Sequence, residues 1–211
     1  MKITKFGHCC LLIEVSGLRI LTDPGMYSDS QNTVENIDML LITHEHQDHL
    51  HIDSVKAILQ ENPATKVVTN SSVGAILEAE RIAYTVVDDG KSTTEGSVLI
   101  EGFGKEHAII YKNYKQVENT GYRIAEALYY HGDAFHNPGV PVEILALPVA
   151  GPWMKLAEAI DFSLEVKPRV CFPVHDGMLK IFGPAHALPK AMLEPAGIKF
   201  EVLELNKASE L

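Results

Sequence analysis

Short apolar runs separated by turn residues dominate the first third of the chain. The segments CCLLIEV and LRILTD flank Ser16-Gly17, which predicts two strands joined by a hairpin turn. DMLLIT predicts a buried strand, and the apolar residues of the following HIDSVKAILQEN recur at helical spacing. The same order of strand and then helix recurs in KVVTN, SSVGAILEAE and YTVVDD.

From Gly90 the pattern changes to consecutive apolar runs without a helix between them. SVLIEGF, HAIIYK, TGYRIA and ALYY predict an antiparallel meander. The second half alternates again, and the six residues of the tail, 206–211, are expected to fray. Helices packed outside two sheets are the economical way to bury so many short strands. The later predicted elements are strand VEILALPV, a helix from Trp153, strand RVCFPV, a short helix near Leu188 to Leu193 and strand IKFEVLEL.

Composition limits the classes of function. The chain has 211 residues, 46% of them hydrophobic, which predicts one domain over 1–211. Its net charge of -10 at pH 7 disfavours nucleic acid and acidic membranes as partners, and no apolar run is long enough to span a membrane. Three cysteines without CxxC spacing and no signal peptide predict a cytoplasmic protein without disulfides. The sequence does not decide whether the protein forms a homo-oligomer.

The segment LLITHEHQDHLH carries the densest chemistry in the chain. His44, His46, Asp48 and His49 fall within six positions, directly after the predicted strand DMLLIT. Titratable side chains are costly to pack together unless they share a partner, and a metal ion is the partner common to imidazole and carboxylate. So short a loop cannot complete a coordination shell, and we therefore expect further ligands from distant strand ends.

Three further residues meet that requirement. Asp133 follows ALYYHG, His175 follows RVCFPV, and His107 begins or precedes the predicted strand AIIYK. Five histidines and two aspartates suffice for two adjacent divalent ions that share a carboxylate. His131 and His136 flank Asp133 and are rivals of His107 as ligands, although a position behind the ligands or in the pocket wall is favoured for each.

Four ordered motifs resemble the metallo-β-lactamase superfamily. HEHQDH matches its H-x-H-x-D-H signature, HGDA and PVHDG match its later aspartate and histidine motifs, and ILTDP matches a strand-end aspartate that braces the metal loop. GHCCLLIE and LPVAGPWM are most similar to a compact, lactonase-like branch of metal-dependent hydrolases.

The resemblance implies a fold, a ligand set and a reaction. The fold is an αββα sandwich, in which two mixed sheets pack face to face with helices outside. Zinc is the expected metal, with manganese or iron as alternatives. Two such ions lower the pKa of a bridging water to roughly 7, which makes hydroxide available for hydrolysis, and Asp48 is a candidate proton acceptor. The implied ligands are His44, His46 and His107 for one ion, Asp48, His49 and His175 for the second, and Asp133 between them.

Several functions use such a core. The favoured one is hydrolysis of an ester, lactone, amide or phosphate ester of a small molecule. A nuclease or phosphodiesterase is the alternative, which the negative charge and the absence of room for a clamping domain disfavour. His46 stands where diiron relatives tend to carry glutamate, which disfavours redox chemistry. A non-catalytic metal protein would be expected to lack a ligand, and none is missing. The sequence leaves open the roles of His8, Asp23, His131, His136 and Trp153.

Overall fold

The computed structural model describes residues 1–114 and 116–211 and shows two seven-stranded sheets with helices outside them. The first six strands and the last strand of the chain form one sheet, and the seven strands between them form the other. Strands β1 to β6 are Lys2–Lys5, Leu11–Val15, Leu18–Thr22, Met39–Ile42, Lys66–Thr69 and Thr85–Val86. Strands β7 to β14 are Ser92–Glu95, Val98–Phe103, Gly121–Ile124, Leu128–Tyr130, Ile144–Pro148, Val170–Val174, Lys199–Phe200 and Ala208–Glu210. Helices α1 to α4 are Ile52–Glu61, Ser71–Ala79, Leu156–Val166 and Gly183–Leu193.

Both sheets are mixed. The order across the first is β14-β1-β2-β3-β4-β5-β6, with β3 to β6 parallel, and the order across the second is β13-β12-β11-β10-β9-β8-β7, with β10 to β13 parallel. Within each parallel part, the carboxyl ends of the strands point to the same edge of the sheet. In open α/β sheets this is the edge at which ligands bind.

The hydrophobic core has three layers. A central cluster joins the facing sides of the two sheets and includes Ile13, Leu41, Tyr122 and Phe172. A second cluster packs α1 and α2 on the first sheet, and a third packs α3 and α4 on the second. The predicted αββα sandwich is therefore confirmed.

The prediction of a frayed tail is wrong. Strand β14 pairs antiparallel with β1, with Ile3 opposite Ser209, and it forms the edge of the first sheet. The amino-terminal strand would otherwise be an open edge, and the backbone groups of the tail satisfy it.

The prediction of a strand over HAIIYK is also wrong. Between β8 and β9 the described residues form a loop that contains only isolated bridges, such as Glu106 with Glu118. Ile109 and Tyr111 in this loop are 66% and 65% exposed, so the apolar run does not pack as a strand. The loop instead passes over the edge where the strand ends meet.

Smaller differences concern element ends. Helix α3 begins at Leu156 rather than Trp153, and the last predicted strand is reduced to β13. Helix α4 begins at Gly183, well before the predicted Leu188, because Pro184 occupies its first turn, where the fixed φ of proline suits a helix. Within the described parts of the chain, no helix is long and apolar enough to cross a membrane.

Candidate metal centre

The predicted ligands meet at one edge of the sandwich. The loop after β4 carries His44, His46, Asp48 and His49, and Asp133 follows β10. His175 directly follows β12, and His107 comes from the loop between β8 and β9. Among the described residues, these side chains form two groups of candidate ligand atoms, each with its atoms within 4.8 Å of one another. The first group is His44, His46 and His107, and the second is Asp48, His49, Asp133 and His175.

The histidines of the first group are oriented by backbone and hydroxyl partners. The Thr43 hydroxyl donates to Asp23 at 2.7 Å and lies 3.0 Å from His44 Nδ1, so it accepts the Nδ1 proton. His107 Nδ1 donates to the carbonyl oxygen of Ala108 at 2.5 Å. The Nε2 atoms of His44 and His107 are buried without a hydrogen-bond partner. Each ring therefore presents an Nε2 lone pair, which is the form that binds a metal.

Asp133 lies between the two groups. One of its oxygens, Oδ2, is 2.9 Å from His175 Nε2 and 3.4 Å from His107 Nε2, and its Oδ1 is 3.2 Å from His49 Nε2. Asp48 Oδ2 is 3.4 Å from His175 Nε2. Asp133 therefore contacts donors of both groups, which is the position that a shared carboxylate requires.

The fully buried Asp23 connects the two sheets beneath the site. Its carboxylate accepts hydrogen bonds from the Thr43 backbone N–H at 2.8 Å, from the Thr43 hydroxyl, and from the Tyr130 hydroxyl at 2.8 Å. It also lies 2.7 Å from His49 Nδ1. These contacts fix the orientation of the His49 ring, and they support the bracing role that the sequence suggests for Asp23.

The two ligand groups differ in their electrostatics. Burial lowers the pKa of His44 well below its usual value. Burial also opposes charging of His175, but the Asp133 carboxylate raises the pKa of His175 well above its usual value. Burial alone would raise the pKa of Asp133, but positive charge on His175 and His49 lowers it well below its usual range. The second group thus stabilises a cation between its carboxylates and imidazoles.

A tight turn supports the metal loop from below. Met26 N–H donates to the Gln47 carbonyl at 2.8 Å, and His51 N–H donates to the Pro24 carbonyl at 3.2 Å. Between them, Gly25 lies so close that a Cβ atom there would be 1.8 Å from the carbonyl oxygen of Asp48. Only glycine permits this approach.

The sequence did not single out Asp176 and its partners. Asp176 accepts from buried Lys5 at 2.5 Å and lies 2.8 Å from His186 Nε2. Lys5 also donates to the Pro173 carbonyl at 2.8 Å, so these contacts fix the chain on both sides of His175. The signal available in the sequence was the position of Asp176 directly after the predicted ligand.

The structure gives different surroundings to His131, His136 and Trp153, whose roles the sequence leaves open. His131 is buried near Phe135 and Phe162, and burial lowers its pKa to about 4. His136 is exposed. Neither contributes to a ligand group among the described residues. Trp153 is 8% exposed and lines the cavity above the site.

Replacing His107 is expected to weaken one metal ion far more than replacing its sequence rivals. His107 belongs to the first group, and its Nε2 lies 3.4 Å from Asp133. His107→Ala should therefore reduce the affinity for one ion about 10-fold or more, since even the loss of a residue that only orients a ligand costs about 10-fold. Calorimetric metal titration measures the affinity of each ion. His131→Ala and His136→Ala are the matched controls, and a larger loss in either of them than in His107→Ala would refute the assignment.

Comparison with known proteins agrees with this geometry. A family model described as a beta-lactamase superfamily domain matches residues 2–175. Protein Rv0786c of Mycobacterium tuberculosis is 32% identical over 184 residues, which cover 85% of each chain. The UPF0173 protein PYRAB01190 of Pyrococcus abyssi is 30% identical over 188 residues, 84% of each chain.

Solved structures give the same result for the fold. A protein from Parabacteroides distasonis, assigned as a metal-dependent hydrolase, superposes with a TM-score of 0.78 at 25% identity, covering 97% of this chain and 93% of the other. Several UPF0173 relatives also carry the name metal-dependent hydrolase. The narrower lactonase-like branch stays a prediction. By its family match, its relatives and its fold, the chain belongs to the metallo-β-lactamase superfamily.

Proposed function

We propose that this metal-dependent hydrolase uses a pair of divalent ions, held by the two ligand groups, to hydrolyse a small molecule. The observation that carries the proposal is the position of Asp133, within 3.4 Å of nitrogen donors from both groups. A carboxylate so placed is suited to hold two ions side by side. Zinc is the proposed metal because the site supplies five histidines, and manganese or iron is compatible with its oxygen donors.

The donor set fits such ions. The Nε2 atoms of His44 and His107 are buried and have no hydrogen-bond partner, a costly arrangement for polar atoms, and His175 Nε2 lies 2.9 Å from the Asp133 carboxylate. Two divalent ions would pair with these atoms and balance the negative charge of Asp48 and Asp133. When bound, such ions depress the pKa of water to near neutrality and polarise a carbonyl or phosphoryl oxygen.

Asp48 is the residue proposed to move a proton. The Asp48 side chain lines the cavity and is 20% exposed, whereas the Asp133 side chain is 4% exposed. Burial alone would raise the pKa of Asp48, but the His175 and His8 imidazoles, 3.4 and 3.5 Å from its Oδ2, lower it well below its usual range, so the side chain is an anion. An anionic carboxylate at the cavity floor can accept a proton from the attacking water and pass it to the leaving group.

The cavity supports a substrate of small-molecule size. Its volume is about 710 Å³, within the range of small-molecule pockets. One side of the floor carries the candidate ligands, and the walls combine aromatic and aliphatic side chains with Glu45 and two glutamines. We propose an ester, lactone, amide or phosphate ester with an apolar portion as the substrate. The apolar wall consists of Met26, Tyr27, Ile110, Tyr114, Val117, Pro152 and Trp153.

The test combines metal content with a hydrolytic screen. After reconstitution with Zn²⁺ or Mn²⁺ and removal of free metal, elemental analysis should give about two ions per chain, as two filled ligand groups require. The loaded protein is then screened against esters, lactones, amides and phosphodiesters, with chelator-treated protein as the control. One ion or none would refute the dinuclear site, and the absence of turnover in every class would refute the hydrolase proposal.

Replacing Asp48 is expected to remove most of the activity without unfolding the protein. Loss of a proton-transfer group typically lowers turnover by about 10²- to 10⁴-fold, so Asp48→Ala should fall in that range or below it. Kinetics on the best substrate from the screen measure the loss, and circular dichroism reports the fold. Asp161→Ala, on the exposed side of α3, is the control. Turnover of Asp48→Ala near that of the control would contradict the assigned role.

A further inference from the structure

A sulfur atom lies beside the second ligand group. Cys9 is 2% exposed, and its Sγ atom is 3.6 Å from His49 Nε2. One ligand atom each from His8, Cys9, His49 and His175 lies within 4.8 Å of the others. This set shares His49 and His175 with the second group but replaces its two carboxylates by a thiol and an imidazole.

The protonation of His49 leaves a lone pair facing that sulfur. His49 Nδ1 lies 2.7 Å from the Asp23 carboxylate and donates to it, so in the neutral, metal-binding form of the ring the lone pair is on Nε2. Nε2 lies 3.6 Å from Cys9 Sγ and 3.2 Å from Asp133 Oδ1. A cation placed among these three atoms would pair with all of them.

The sulfur-to-nitrogen distance is the one expected for two ligands of the same ion. Zn–S and Zn–N bonds of about 2.3 and 2.1 Å at a tetrahedral angle separate the two ligand atoms by about 3.6 Å. His175 supplies an independent indication, because its buried ring forms no hydrogen bond of acceptable geometry and one of its two nitrogens belongs to the same set. The position of Cys9 therefore fits a metal ligand as well as a small core residue that is hydrogen-bonded to His49.

His8 plays a different part from the other three. Its Nδ1 accepts a hydrogen bond from the Gly177 backbone N–H at 3.0 Å, so the neutral ring carries its proton on Nε2. An Nε2–H group is a hydrogen-bond donor and has no lone pair for a metal. It lies 3.5 Å from Asp48 Oδ2, so it can donate to that carboxylate.

We propose that Cys9 supplies a thiolate ligand to the ion held by His49 and His175, an inference that rests on the proposed dinuclear site. As the sulfur–metal bond forms, the Cys9 S–H bond breaks and the proton leaves to solvent, with no change of oxidation state. Thiolate favours zinc, cobalt and cadmium over manganese, which prefers oxygen donors. Cys9 therefore makes the second position selective for the softer ions.

The experiment uses Co²⁺ as the probe, because a thiolate bound to Co²⁺ gives a charge-transfer band in the near ultraviolet. The full chain is loaded with Co²⁺, and its ion content is measured with its spectrum. In the double variant Cys10→Ala/Cys171→Ala, Cys9 is the only thiol left, and the band should persist. The two replaced cysteines lie in the helix-facing clusters and are matched controls for buried sulfur.

The reverse variant, Cys9→Ser, should lose the band while retaining two ions. Its affinity for Zn²⁺ at one position should fall about 10-fold or more, and its affinity for Mn²⁺ should stay unchanged. A band that persists in Cys9→Ser would overturn the proposal. So would a band that is missing from the double variant, and this second outcome is decisive even if Cys9→Ser does not fold. If the unchanged protein binds two Co²⁺ ions without a band, the Cys9 ligand alone is overturned. If the unchanged protein binds no ion, the dinuclear site is overturned as well.

Discussion

Asp133→Asn is expected to bind metal about 10²- to 10⁴-fold more weakly than the unchanged protein and to lose hydrolytic activity with it. Asp133 is 3% exposed and contacts His49, His107 and His175. Removing one partner of a buried charged set costs about 3–5 kcal/mol, which corresponds to that range of affinity. Asparagine keeps the volume of the side chain and one oxygen, so the change isolates the effect of charge.

Two measurements separate this expectation from a general loss of structure. Calorimetric metal titration gives the affinity of each ion, and thermal unfolding of the metal-free protein shows whether the fold persists. Asp161→Asn, on the exposed side of α3, makes the same chemical change away from the site and should bind both ions normally. Because Asp133 is proposed to hold both ions, both affinities should fall. Loss of one ion with normal binding of the other would show that Asp133 does not bridge.

Gly25→Ala is expected to disable the site without touching a ligand. A Cβ atom at residue 25 would lie 1.8 Å from the Asp48 carbonyl oxygen and 2.6 Å from the His49 backbone nitrogen. Because both neighbours are backbone atoms, the metal loop itself must move. A displacement of about 1 Å at a catalytic centre can cost about 10²-fold in rate, and overpacking typically costs about 1–3 kcal/mol of stability. Turnover should therefore fall about 100-fold, with weaker binding of the second ion.

The matched control for Gly25→Ala is Gly183→Ala at the start of α4. A Cβ atom there would meet its nearest neighbour, the flexible Ile181 side chain, at 3.9 Å. The control should keep its turnover and metal affinity. Turnover of Gly25→Ala within 2-fold of that control would mean that the metal loop tolerates the displacement, contrary to the expectation that its position sets the geometry of the site.

The spacing of ligands within one loop could be predicted because it is a local property. His44, His46, Asp48 and His49 occupy adjacent positions after an apolar strand, and their convergence needs only the end of that strand. The αββα sandwich could likewise be predicted, since alternating strands and helices have few ways to bury their apolar faces. Asp133 and His175 could be predicted as partners of that loop, because each follows a predicted strand at the point where the chain leaves the sheet.

Contacts between distant segments were beyond such rules. The loop that carries His107 looked like a strand because its residues are apolar. Some of these residues, such as Ile110, line the cavity over the site, whereas others, such as Ile109, are exposed to solvent. The tail looked polar and free, but its backbone completes the edge of the first sheet. In both cases the partner lies far away in the chain, and short-range periodicity contains no information about it.

The sequence by itself determined the class of the site, and the tertiary structure decided how its parts are held. Residue type and spacing named the candidate metal ligands, because imidazole and carboxylate at strand ends have few other uses. Only the folded chain brought Asp23 against His49 and Tyr130, Gly25 beneath Asp48, and Cys9 beside His49. The physical reason is that ligand chemistry resides in single side chains, whereas orientation and selectivity depend on distances between atoms that only packing of the two sheets brings together.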